Sequence, residues 1–126
     1  MAASALDVVR AWYRSGDPAL LAPEIDWRVL DSFPAGGNYR GRDAVLDRFF
    51  PAVLARFAAY ETMPESFHVA GGTIVATGRY RVRGLTGVAA EADFAHIWTV
   101  EEGSIVAFRQ IADTVAIGAA IGATSG

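Results

Sequence analysis

With 126 residues, 52% of them hydrophobic, and a formal net charge of −3, the chain has material for one buried core and no basic footprint for DNA or RNA. It contains no cysteine, which excludes disulfides, a thiol nucleophile and thiolate metal sites. All of its basic residues are arginine, so lysine Schiff-base chemistry and a P-loop lysine are excluded too. Its start lacks a basic segment followed by an apolar leader, and no stretch approaches membrane-span length. A soluble, cytoplasmic protein of one domain, residues 1–126, is expected, with no membrane or nucleic-acid partner.

The first element is a helix over residues 4–15, "SALDVVRAWYRS". Leu6, Val9 and Tyr13 share one stripe, with Ala5, Val8 and Trp12 beside it, and Gly16 stops it. Asp17 followed by Pro18 reads as an N-cap with proline in the first helical position, which predicts a short second helix through "ALLA" ended by Pro23. "IDWRVLD" alternates into a strand, and "SFPAGGNYRG" reads as a loop. Residues 42–57 place Val45, Leu46, Phe49, Phe50, Val53, Leu54 and Phe57 at helical spacing, with a kink expected at Pro51. From residue 59 the pattern is β: "AYETMPESFHVA", a turn at Gly71 and Gly72, "TIVATGRYRVRG", a loop near Gly84 to Gly87, and a final hairpin over residues 92–113. The order predicts an α+β fold with helices on one face of a mainly antiparallel sheet.

The hairpin "ADFAHIWTVEEGSIVAFRQIAD" contains one of two histidines and the only glutamine of the chain. A type I turn with Gly103 in the left-handed region would set Val100 opposite Ser104, His96 opposite Phe108 and Gln110 opposite Phe94. Alternation then puts Phe94, His96, Trp98, Val106, Phe108, Gln110 and Ala112 on one face, and Ala95, Ile97, Thr99, Ile105, Ala107, Arg109 and Ile111 on the other. Both faces are largely apolar, so the second needs its own cover, and a homodimer through it is expected.

"GDPALLAPEIDWRV", "YRGRDAVLDRFF" and "HIWTVEEGSIVAFRQIAD" together resemble the SnoaL-like polyketide cyclase branch of the nuclear transport factor 2-like, ketosteroid-isomerase-like superfamily. The resemblance implies a cone-shaped, cystatin-like α+β barrel, its curved sheet wrapped around N-terminal helices and enclosing an apolar pocket. In the cyclases of this family a histidine on the penultimate strand and an aspartate on the last face the substrate. His96 matches the first position, but Gln110 stands at the second, and an amide cannot act as a general base. The steroid-isomerase pattern is not kept, since its first-helix tyrosine maps to Val9 and its first-strand base falls near Val29.

His96 is therefore the leading candidate for proton transfer, because an unperturbed imidazole titrates near neutrality; its alternative is a neutral, hydrogen-bonded core histidine. Asp31, beside Trp27 and Phe33 at the mouth of the Gly-rich loop, is a reserve base if buried, or else a loop carboxylate. Asp113 caps a tail helix or presents a carboxylate to the pocket. Gln110 and the hydroxyls of Tyr13, Tyr39, Tyr60 or Tyr80 could orient a ligand, with Trp12, Trp27, Phe33, Phe49, Phe50, Trp98 and Phe108 as core or pocket wall. Arg79, Arg81 and Arg83 read as a solvated strand edge. No metal constellation and no cofactor are expected. The expected function is binding of a small apolar or aromatic molecule, with cofactor-free isomerase, cyclase or hydrolase chemistry through His96, or else a non-catalytic binding or dimerisation module.

Overall fold

A computed structural model describes residues 4–122. Helix α1 (Ala5–Ser15) begins at a capping box in which the Ser4 side chain accepts from Asp7 N–H and Asp7 reaches back to Ser4 N–H. It ends at Gly16, whose φ of 61° supplies the left-handed cap. Its buried residues are Val8, Val9 and Trp12. Asp17 caps a single 3-10 turn, Pro18–Leu20, rather than a longer second helix. Strand β1 (Leu21–Val29) starts at once and runs through Pro23. Proline is accommodated there because the pairing of β1 with the last strand is irregular between Leu21 and Asp26.

The Gly-rich stretch contains an unforeseen edge strand, β2 (Gly37–Arg40), antiparallel to β1. Four residues are too few to display alternation in sequence. The long helical segment is split into α2 (Arg42–Ala44), a π turn (Val45–Phe49) and α3 (Phe50–Leu54). Pro51 falls in the first turn of α3, where its missing N–H costs least, and the π turn before it absorbs the irregularity expected as a kink. Val45, Phe49 and Val53 are buried.

Strands β3 (Phe57–Ala70), β4 (Thr73–Gly84), β5 (Ala89–Glu101) and β6 (Ser104–Ala112) follow as antiparallel neighbours. The order is β2-β1-β6-β5-β4-β3, with β1 and β6 parallel. This is a cone-shaped α+β barrel, its curved sheet wrapped around the helices, and α1 touches β3, β4, β5 and β6. Curvature has a local cause at Gly78, where a Cβ would lie 2.1 Å from Met63 O, beside the pairing irregularity between Pro64 and Ser66 on the edge strand β3. Helix α4 (Thr114–Ile121) closes one end and sits so tightly on Gly84 that a Cβ there would meet Ala120 O at 1.8 Å. Among the described residues, no helix is long and apolar enough to cross a membrane.

The β5–β6 register differs from the sequence expectation. Glu102 and Gly103 both have positive φ, 50° and 81°, forming a two-residue turn that pairs Glu101 with Ser104. His96 consequently faces Gln110, and Trp98 faces Phe108. A bulge beside Thr99 and Val100 then reverses the first residues of β6: Ile105 is fully buried, whereas Val106 is the extra residue and only half-buried. Arg79, Arg81 and Arg83 lie on β4, an interior strand, and point outward as charged groups rather than forming an edge.

Candidate functional site: an uncharged aromatic cavity

The strands' alternation and the packing of α1 converge on one cavity of about 320 Å³. Its wall takes Trp12, Tyr13 and Gly16 from the end of α1, Trp27 from β1, and Leu46, Phe49 and Phe50 from the helical segment. The sheet adds Tyr60, Thr62, Tyr80, His96, Trp98, Phe108 and Gln110. None of these residues is a carboxylate or an arginine. The aromatic groups brace one another: Trp27 lies over Phe108 with centroids 4.0 Å apart, and Trp98 meets Phe108 at 4.5 Å and Tyr13 edge-on at 5.5 Å.

His96 and Gln110 are the buried polar residues of this core, 4% and 2% exposed, and they sit directly across from each other. The imidazole stacks on Phe94, with centroids 3.9 Å apart, and both ring nitrogens are occupied. Tyr13 Oη lies 2.6 Å from Nδ1, and Tyr80 Oη lies 2.5 Å from Nε2. Trp98 Nε1 donates to Tyr13 Oη and Gln110 Nε2 donates to Tyr80 Oη, each at 2.9 Å. The result is one chain, Trp98–Tyr13–His96–Tyr80–Gln110. Burial pushes the His96 pKa down to about 3, and it raises Tyr13, Tyr60 and Tyr80 above the ordinary tyrosine value. Near neutrality every group in the chain is uncharged.

Of the two readings of His96, this geometry matches the neutral, hydrogen-bonded core histidine: burial pushes its pKa down to about 3, and each ring nitrogen has a tyrosine hydroxyl within hydrogen-bond distance. Asp31, the reserve base of the sequence reading, is exposed in the β1–β2 loop and is not among the residues of the cavity wall. Asp113 caps α4, its Oδ1 accepting from Ala116 N–H at 3.1 Å, and does not line the cavity. Phe33 packs behind Tyr80 at 5.6 Å, and Tyr39 donates to Ala35 O at 2.7 Å; neither lines the cavity. Gln110, Tyr13, Trp12, Trp27, Phe50, Tyr80, Trp98 and Phe108 all do. Leu46, Thr62 and Gly16 were missed, for want of any sequence signal that distinguishes a cavity edge from ordinary packing. Among the described residues, no group of three or more His, Cys, Asp or Glu comes together to hold a metal ion.

Comparison with known proteins agrees with this architecture. A family model described as a SnoaL-like domain matches residues 8–108. The chain belongs to the SnoaL-like domain family. A solved NTF2-like protein from Burkholderia thailandensis E264 is 31% identical, with a TM-score of 0.86 over 94% of this chain and 98% of that one. An NTF2-like protein of unknown function from Burkholderia pseudomallei K96243 is 29% identical, with the same TM-score and the same coverage of both chains. A putative SnoaL-like polyketide cyclase from Jannaschia sp. CCS1 shares the fold at 19% identity and a TM-score of 0.76, over 95% of this chain and 92% of its own. No curated protein matches. The SnoaL-like fold thus places the hydroxyl–imidazole chain inside its cone.

Proposed function

We propose that the protein binds a small, neutral, largely aromatic molecule in this cavity. The observation that carries the reading is a wall without a single charged side chain, of a volume within the range of small-molecule pockets, whose polar groups are held neutral. Abstraction of a proton from carbon needs a base, and the wall offers none that is free near neutrality, so binding is favoured over the isomerase type of chemistry. A second, catalytic reading rests on the tyrosines alone: a hydroxyl held by His96 could polarise a ligand carbonyl, as cyclase or hydrolase chemistry requires.

All three tryptophans of the chain line the cavity, so intrinsic fluorescence reads it directly. Titration with naphthalene should quench or shift the emission to saturation, and a cavity-filling Thr62→Phe variant should abolish the response. An unsaturable response, identical in that variant, would refute ligand binding here. We also propose that a second copy of the chain covers the outer face of the sheet at Ala95, Ile97 and Thr99, all half-buried. A sedimentation mass of one chain would overturn that assembly.

A further inference from the structure

The least buried residues of the cavity wall mark its mouth. They are Tyr13 and Gly16 at the end of α1, Leu46 and Phe50 in the helical segment, and Tyr60 and Thr62 on β3, whereas the rest of the wall is buried. Two sides of that mouth are fixed: α1 is seated against four strands, and β3 is paired with β4 from Phe57 to Ala70. The third side, Arg42–Leu54, belongs to no ladder. Its start is anchored by Gly41 N–H, which donates to Ile25 O at 2.8 Å, and by Arg42 Nη1, which donates to Leu21 O at 3.2 Å. Beyond that anchor the π turn leans on the four-residue edge strand β2, and α3 runs out through Leu54, Ala55 and Arg56, all exposed.

The π turn decides what this segment shows to the cavity. In a continuous α-helix, at about 100° per residue, Phe49 would stand about 40° from Val45 around the axis and Phe50 about 140°. Phe50 would then face away from the buried side that Val45 defines. Instead Val45 and Phe49 are 0% and 4% exposed, and Phe50 is turned inward as well, its ring 5.6 Å from Trp27 and 6.2 Å from Trp12. The cause is the surplus residue of the π turn, in which Phe50 N–H donates to Val45 O, five residues back. Pro51 makes that surplus easy to move. It has no N–H, so passing Phe50 N–H from Val45 O to Leu46 O requires no matching exchange at the next position.

We propose that Arg42–Leu54 is the gate of the cavity and that the π turn is its moving part. In the closed form the turn is present and Phe50 lies on the wall. In the open form Val45 to Phe50 takes the α register and Phe50 swings by about 100° toward solvent, while Phe49 keeps the deep wall intact. The same rotation draws out Val53, which is fully buried in the closed form, and this keeps the open form the minor one. The gate rests on the ligand-binding reading above and adds to it the route of entry.

The surplus residue can be removed. Asp47 is exposed and lies outside the cavity wall, and its deletion leaves Val45 and Phe50 four residues apart, the ordinary α spacing, so that the mouth is closed with no register left to change. Stopped-flow tryptophan fluorescence with naphthalene should give association and dissociation rates that are both about tenfold slower in the Asp47 deletion than in the wild type, with affinity kept within about twofold. Should the deletion fail to fold, relaxation dispersion on the free wild type decides instead. Microsecond-to-millisecond exchange is expected at the amides of Phe49, Phe50 and Ala52, and none at those of β4 and β5. Unchanged rates in a folded deletion variant, or no such exchange in the segment, would overturn the gate. The dispersion measurement needs no ligand, so a wild type that does not bind naphthalene removes the binding reading and leaves the gate to be judged by its own motion.

Discussion

The two faces of the β4–β5 ladder handle polar groups in opposite ways. On the inner face, Tyr80, His96 and Trp98 are buried and uncharged; Tyr80 is hydrogen-bonded to His96 directly, and Trp98 is linked to it through Tyr13 of α1. On the outer face of the same strands, Arg79 bridges Glu65 at 3.2 Å and Glu91 at 3.4 Å, and Arg81 reaches Glu91 at 3.1 Å. Those four side chains are between 43% and 62% exposed. In water, charges need no partner and gain little from one; in the cone, a group that lacks a partner is expensive. Substitutions should therefore differ in cost by face far more than by residue type.

The largest effect should come from Trp98→Ala. Trp98 is 1% exposed and touches Tyr13, Trp27, His96 and Phe108, so its removal opens a cavity in addition to orphaning Tyr13. A loss of ~3–5 kcal/mol in urea-denaturation free energy is expected. A loss below ~1 kcal/mol would show that the inner face is loosely packed.

Acid should probe the inner face next. His96 titrates near 3 when folded and near its ordinary value of 6.5 when unfolded. Between those values the unfolded chain holds a proton that the folded chain does not. Stability is therefore full above pH 6.5 and is lost as pH falls toward 3, with a slope approaching ~1.4 kcal/mol per pH unit from this group alone. Comparing the wild type with His96→Gln between about pH 6.5 and 4.5 isolates the contribution, since the carboxylates are common to both proteins. Parallel stability profiles would mean that the imidazole is not held neutral. Ligand binding, in contrast, should stay flat across the same range wherever the protein remains folded.

A smaller effect is expected from Tyr13→Phe, which leaves the ring packing in place but removes the partner of Trp98 Nε1 and His96 Nδ1. The cost should be ~1–3 kcal/mol by denaturant unfolding. Combining it with Tyr80→Phe should give a non-additive total, because both hydroxyls share one imidazole. Strict additivity would break the chain into unrelated bonds.

Much of the inner face was legible in the sequence because strand alternation survives certain errors. The turn at Glu102–Gly103 shifts the pairing of His96 by two residues from the expected register, and a two-residue slip leaves every side chain on its own face. Ile105 and Val106 were misassigned because a bulge is a one-residue slip and reverses parity. The helix start at Ser4, its stop at Gly16 and the Asp113 cap followed from local backbone chemistry. What could not be read was the commitment of His96 to two hydroxyls. Tyr13 is 83 residues away from it in sequence, and only the closed cone brings the two together. The depressed His96 pKa follows from that closure, as does the exposure of Asp31, which depends on how the β1–β2 loop leaves the sheet.

The smallest effect belongs to the outer face and sharpens the contrast most directly. Arg79 sits between Glu65 and Glu91, which raise its pKa, yet its side chain is 45% exposed and solvent screens both pairs. Arg79→Ala should thus change the unfolding free energy least of all these substitutions in low salt, and the difference should shrink further in ~1 M salt, where the Debye length is about 3 Å. The Tyr13→Phe penalty, arising from neutral hydrogen bonds shielded from ions, should not respond to salt in this way. If both penalties vanished together in high salt, the difference between the faces could not be one of solvent exposure, and the neutral character assigned to the cavity would have to be abandoned.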